Sequence, residues 1–210
     1  MNWRGWAAWC LMLTQSALVC GAATLVKSVN PETYLAAVRS LQPGDELRLA
    51  PGQYLQGLPI QFINGTADTP IVITGPASGA VAKFPARDGH NTVSLRDASY
   101  IVVRNLMLDG QGLPVDAVKA EGDAHWAHHI TLENLTIVGH GANEQIVGIS
   151  TKCPAWNWVV RRNVIEGAGT GMYFGNSDGS APFVAGLIEY NLVTDTLGYN
   201  LQIKHQLARP

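Results

Sequence analysis

The sequence predicts an all-β fold, a right-handed parallel β-helix opened by a short N-terminal capping helix, and two observations carry that prediction. The first is an internal repeat. Four segments read alike: Ile101 to Asp109, Ile130 to Val138, Trp158 to Glu166 and Leu187 to Asp195, each a short β-branched run centred on an asparagine. Those asparagines, Asn105, Asn134, Asn163 and Asn191, lie 29, 29 and 28 residues apart. A unit of that length is too small to bury its own apolar face and must stack on its neighbours. The second observation is the period within each unit, where apolar and polar residues alternate as in half-buried strands and no helical stripe of useful length intervenes. Leucine-rich repeats also use such asparagines, but their denser leucine pattern and shorter unit are absent. One interior asparagine per coil, stacked on the next, is expected to hydrogen-bond along the axis and to satisfy backbone groups at the bend.

The elements follow in chain order. Residues 1–23 read as a secretory signal: Arg4 is the only charge, an apolar stretch runs from Gly5 to Val19, and the small residues Gly21, Ala22 and Ala23 suit cleavage. An uncleaved anchor is the alternative, but Thr14, Gln15 and Ser16 interrupt the stretch and it is short for a span. Val19 is too bulky for a lipid-attachment site at Cys20. The mature chain is therefore expected to be secreted, extracellular or periplasmic, with no membrane association after cleavage. Cys10 and Cys20 leave with the signal, and Cys153 remains as a lone, small, buried hydrophobe.

Residues 24–210 form the β-helix. Asn30-Pro31-Glu32 is a helix start, with Asn30 able to cap and Pro31 suited to the first turn. Tyr34, Leu35, Val38 and Leu41 then share one face, placed to cover the first open rung of a stacked sheet. Gln42-Pro43-Gly44-Asp45 stops the helix, and Glu46 to Ala50 enters the coil as a strand. The chain ends at Leu207-Ala208-Arg209-Pro210 directly after a repeat strand without a polar cap, so a fragment continuing past residue 210 is expected. A net charge of -2 supplies no broad basic field, which argues against nucleic acid or an anionic membrane surface as partner. Any anionic ligand needs a local basic patch.

The opening carries a resemblance. Leu41 to Tyr54, with Pro43-Gly44-Asp45 and Pro51-Gly52-Gln53-Tyr54, followed by Asn64-Gly65-Thr66-Ala67 and Pro70-Ile71-Val72-Ile73, resembles the start of the chondroitinase B and alginate lyase group. The later asparagine-centred repeats are similar to those of right-handed parallel β-helix proteins at large, which include lyases, epimerases, hydrolases and proteins of no known activity. The resemblance implies an acidic polysaccharide as partner and β-elimination as chemistry. A cation or Ca²⁺ neutralises the uronate carboxylate, and a basic side chain removes the acidified C5 proton. In that group a Glu-x-Glu-Ile-Ile-x-x-Lys run supplies metal ligands and base, and an arginine follows about one coil later. Here the run is Gln145-Ile146-Val147-Gly148-Ile149-Ser150-Thr151-Lys152, so Lys152 fits the lysine while Gln145 and Val147 replace both glutamates. Tyr173 stands nearest the arginine's place. For Ca²⁺ the remaining oxygen ligands are Glu144, Asn176 and Asp178, in a shifted register or as loop caps.

Strand alternation that buries Val118, Ile149 and Ile203 turns Lys119, Glu121, Ser150, Lys152, Gln202 and Lys204 outward. A basic column of Lys119, Lys152, Tyr173 and Lys204, with His205 nearby, is either an acidic-sugar site or a solvated face. Trp126, Trp156 and Trp158 lie at coil edges, where they either stack on sugar rings or anchor the core. His125, His128 and His129 around Trp126 read first as a surface turn rather than a zinc site. Asn64-Gly65-Thr66 reads first as a turn and only second as a glycosylation sequon. Two functions follow. The first is a uronate-acting lyase with Lys152 or Lys204 as base, Tyr173 or His205 assisting, and Lys119, Gln202 and Trp156 binding substrate. The second is a non-catalytic carbohydrate-binding or surface protein on the same scaffold.

Overall fold

In the computed structural model, residues 25–122, 125–204 and 207 are described; the expected signal lies outside them, as does His205. The chain winds through three parallel sheets in a β-solenoid of about six turns. Each full turn passes from the first sheet to the third, then to the second. The turn from Ala98 illustrates this: Ala98–Arg104 lies in the first sheet, Leu106–Asp109 in the third and Val118–Ala120 in the second. The next turn repeats it with Ala127–Glu133, Thr136–Val138 and Val147–Thr151. Every strand pairs in parallel with those of adjacent turns, for example Thr131 with Val102 and Val159.

Alternation places one residue of each pair inside, where Leu47, Ile73, Val103, Leu132 and Val160 stack as a fully buried file. Wider parts of the interior take aromatic rings. Tyr54 stacks on Phe84 at 4.8 Å, and Phe174 on Phe183 at 4.2 Å. Trp158, one of the three candidate sugar-stacking tryptophans, is a core residue: it is fully buried and its Nε1 donates to the Ala127 carbonyl at 3.0 Å. Cys153 is buried too, as expected of a small hydrophobe.

A strand not foreseen in the sequence, Val26–Val29, pairs with Glu46–Leu49. Between them lies a six-residue helix, Tyr34–Arg39. Asn30 Oδ1 accepts from the Glu32 and Thr33 amides, and Tyr34 and Val38 are buried, with the Tyr34 hydroxyl donating to the Gly57 carbonyl at 2.8 Å.

The asparagines depart from expectation. Arg104, Glu133, Arg161 and Glu189 pair in one row, as do Met107, Thr136, Val164 and Leu192. Between these rows, Asn105, Asn134, Arg162 and Tyr190 share the first bend position, all with positive φ of 52–58°. Asn163 and Asn191 occupy the next position, alongside Leu106 and Leu135. The four therefore form two pairs in adjacent columns, because Trp158 to Asn163 holds one residue more before its asparagine than Ile101 to Asn105 does. Asn134 is exposed and suits the left-handed bend, where asparagine is tolerated best among non-glycine residues. Asn163 is fully buried and carries the ladder: its Oδ1 accepts from the Leu135 amide, and its Nδ2 donates to the Leu132 carbonyl and to Asn191 Oδ1.

Candidate functional site

The second sheet presents the candidate site. Its outward row runs Lys119, Ser150, Tyr173, Gln202 across four consecutive strands. Lys152 and Lys204 leave the ends of the Val147–Thr151 and Leu201–Ile203 strands, two residues past Ser150 and Gln202, and so project from the same face one row further on. The basic column is thus two adjacent rows rather than one. Ser150 is outward by register but fully buried, because its hydroxyl donates to Asp116, itself tucked against the strand. Ile203 also differs from expectation: it pairs with buried Phe174 yet is 51% exposed, and Leu201 beside it is 45% exposed. No described strand stacks on them.

Lys152, Tyr173 and Lys204 converge. The Lys152 ammonium sits 3.5 Å from the Tyr173 ring centroid and that of Lys204 sits 5.0 Å from it. The Tyr173 hydroxyl meets the Ser177 hydroxyl at 2.7 Å. With Glu144, Gln202 and Tyr199 these residues line a groove of about 330 Å³. Burial of its ammonium is the largest influence on Lys152 and pulls it below the usual lysine range, with Lys119 adding repulsion, against the opposing pull of Tyr173 and Asp116. For Tyr173 burial acts upward, but the Ser177 hydrogen bond and the charges of Lys152 and Lys204 outweigh it and hold the phenol below the usual tyrosine range. An amine eased toward neutrality and a phenol eased toward ionisation therefore share one groove.

The other candidates scatter. Lys119 lies 3.7 Å from Asp116, whose Oδ1 is already engaged by the Val147 amide and Oδ2 by Ser150. Asp116 itself gave no signal in sequence, since an isolated aspartate before a strand matches no motif. Trp156 lines a neighbouring depression of about 580 Å³ together with Trp126, His125, Cys153 and Asn176, and Lys152 forms the ridge shared by both. There His128 stacks between Trp156 at 4.3 Å and Trp126 at 5.0 Å. Glu144 borders the Tyr173 groove, Asn176 the Trp156 depression, and Asp178 Oδ1 accepts from the Ser180 amide and hydroxyl. Calcium needs six or more oxygens around one point. These oxygens are divided between two depressions and a loop cap, and they do not fit a single calcium cradle.

No protein-family profile matches the chain, and no curated protein matches it. Solved structures do. An alginate lyase from Paenibacillus sp. str. FPU-7 superposes with a TM-score of 0.60 at 19% identity, covering 85% of this chain and 61% of that one. A mannuronic acid specific polysaccharide family 6 lyase from human gut microbiota gives 0.60 at 15% identity, covering 87% and 52%. A GH136 lacto-N-biosidase from Eubacterium ramulus gives 0.60 at 18% identity, covering 82% and 42%. A PL6 family alginate lyase, at a TM-score of 0.57, is matched over 28% of its length, so this chain spans less than two thirds of each of these proteins. At such identities the likeness establishes architecture: the chain has the parallel β-helix fold found in these polysaccharide lyases and in a glycosidase alike.

Proposed function

We propose that this chain is a secreted carbohydrate-active protein that cleaves a uronate-containing polysaccharide by β-elimination. The observation that carries the reading is the convergence of Lys152 and Lys204 on the ring of Tyr173 in one groove. In this reading the coil is right-handed, the hand that parallel crossovers adopt, and the Tyr34–Arg39 helix covers its first rung. The fold shared with alginate lyases supports the substrate class, and the basic groove in a chain of net charge -2 supports an acidic ligand.

Each group has a role. The Lys204 ammonium pairs with the uronate carboxylate and acidifies the C5 proton. Lys152, its amine eased toward the neutral form, accepts that proton. The C5–H electrons form the C4=C5 bond, the C4–O4 bond breaks, and the Tyr173 hydroxyl gives its proton to the leaving oxygen. The reading requires no metal, in keeping with the divided oxygens of Glu144, Asn176 and Asp178. Lys119, Gln202 and Trp156 bind flanking sugars, and His205 follows Lys204 directly in sequence.

The test is incubation of the protein with alginate, pectate and glycosaminoglycans, following ultraviolet absorbance of the unsaturated product. One of these should yield product, and Lys152→Ala should abolish it with little change in thermal stability. Binding without product by the parent would establish the non-catalytic alternative. Neither binding nor product on any uronate polymer would overturn the assignment.

A further inference from the structure

A second groove opens further along the same sheet face. It has a volume of about 320 Å³ and is lined by Gln61, Arg87, Asn91, Ser94, Arg96 and Glu121, among others. The register joins it to the Tyr173 groove. Leu95, Ala120, Thr151, Phe174 and Ile203 pair in one row, so the residues that follow them, Arg96, Glu121, Lys152, Gly175 and Lys204, run in the same order one step on. Arg96 therefore stands two rungs before Lys152 and three before Tyr173. At about 4.8 Å per rung these are distances of roughly 10 and 14 Å along the coil axis.

The donors of this groove are incompletely matched. Arg96 Nε is buried and has no hydrogen-bond partner among the described residues, a state that native structures generally avoid. Among those residues no carboxylate lies within ion-pair distance of Arg96 or Arg87. Arg87 Nη1 donates to Gln56, and Glu121, the one carboxylate among the described residues that line the groove, accepts on Oε1 from Asn91 and Ser94 at 2.9 Å each. Two guanidinium groups thus face one occupied carboxylate. Because a guanidinium presents Nε–H and Nη–H as a planar fork, its best complement is a carboxylate bound through both oxygens.

We infer that the Arg96 groove is a distal subsite for the carboxylate of a uronate unit, two to three sugars from the unit held at Tyr173. The inference rests on the proposed function. It fits the geometry because a linked pyranose advances by about one rung, so in a chain lying along the axis the unit three sugars on from the one at Tyr173 reaches Arg96.

Titration calorimetry tests it, with oligouronates of two and of five units made from whichever polymer the parent binds. Arg96→Ala should bind the five-unit ligand about tenfold more weakly, the loss of one charge-assisted contact. The two-unit ligand, which cannot reach both grooves, should bind as to the parent, and the thermal midpoint should stay in place. Arg96→Lys keeps the charge and the stem but not the fork, so it should recover only part of the loss and serves if the alanine variant folds poorly. Equal effects on both lengths, no effect on either, or tighter binding of a sulfated than of a carboxylated oligosaccharide would overturn the subsite. If the parent binds and Arg96→Ala binds identically, only the subsite falls. If the parent binds no oligouronate, the functional reading falls and takes the subsite with it.

Discussion

Asn163 and Asn134 look equivalent in the sequence and are opposite in the structure. Replacing Asn163 with Leu removes three side-chain hydrogen bonds from a fully buried ladder and strands the Leu135 amide and Leu132 carbonyl. A loss of about 1–3 kcal/mol or more is expected in denaturant unfolding. Asn134→Gly should be close to neutral, since the exposed bend position asks only for a positive φ. Lys152 poses a different single-residue question. If it acts as a neutral base, Lys152→Arg must fail despite keeping the charge, because a guanidinium does not deprotonate. Turnover should then fall by more than a hundredfold, while Lys204→Arg, which keeps its carboxylate-pairing role, retains most activity. The pH profile has a definite shape as well. Activity rises as Lys152 loses its proton and falls as Tyr173 loses its own. With both groups held below their usual ranges, the whole bell lies to the acid side of an ordinary lysine and tyrosine pair. An alkaline limb unmoved by Tyr173→Phe would remove tyrosine from the role of acid.

Among elements, the bend between the first and third sheets shows how far a repeat can be read. Its period and alternation were legible, because 28–29 residues per turn and single alternation leave few architectures. The alignment at the bend was not. The turn from Glu133 to Arg161 is one residue shorter than that from Arg104 to Glu133, and Asn163 sits one place later in an equally long bend, so asparagine spacing stayed regular while the side chains moved from the exposed column to the buried one. Ahead of that bend lies a charged row, in which Glu133 accepts from Arg161 Nε at 3.0 Å and from Arg162 Nη1 at 2.9 Å. Burial acts upward on the Glu133 carboxyl, but the two guanidinium groups outweigh it and hold it below its usual range. A carboxyl depressed by folding stabilises fully at neutral pH. Its contribution is lost as pH falls from the unfolded value near about 4.3 through the lower folded one. Glu133→Gln should therefore destabilise at pH 7 by about 1–2 kcal/mol, discounted because Arg161 and Arg162 are partly exposed, and should flatten the acid limb of a stability-versus-pH curve. Parallel curves for parent and variant would show the row to be neutral.

Across the whole molecule, fold and site were unequally visible. The solenoid is written in a pattern that every turn repeats, whereas the site depends on which turn ends its strand with Lys152 and which neighbour supplies Tyr173. Lys152, Tyr173, Lys204 and Gln202 could be grouped in advance because strand alternation puts them on one face. Asp116 and Ser177 could not, since loops deliver them. Trp156 and Trp158, two residues apart, differ by burial that alternation alone would not distinguish, because both parities meet at the bulge around Asn157, whose φ is 55°. The register itself carries a kinetic consequence. Partners such as Thr136 and Val164 are 28 residues apart in a chain of 210, and the offsets of the other pairs lie on either side of this, from 20 for Val26 and Glu46 to 35 for Leu58 and Val93. Contacts between neighbouring turns thus correspond to a relative contact order of roughly 0.13, below the range of sandwich folds that join distant strands. Each turn can close onto the one before it as soon as it leaves the ribosome, without waiting for the far end of the chain. Refolding should accordingly advance along the axis as a zipper, and hydrogen exchange should find the central turns protected longest and the rung of Leu201 and Ile203 opening first.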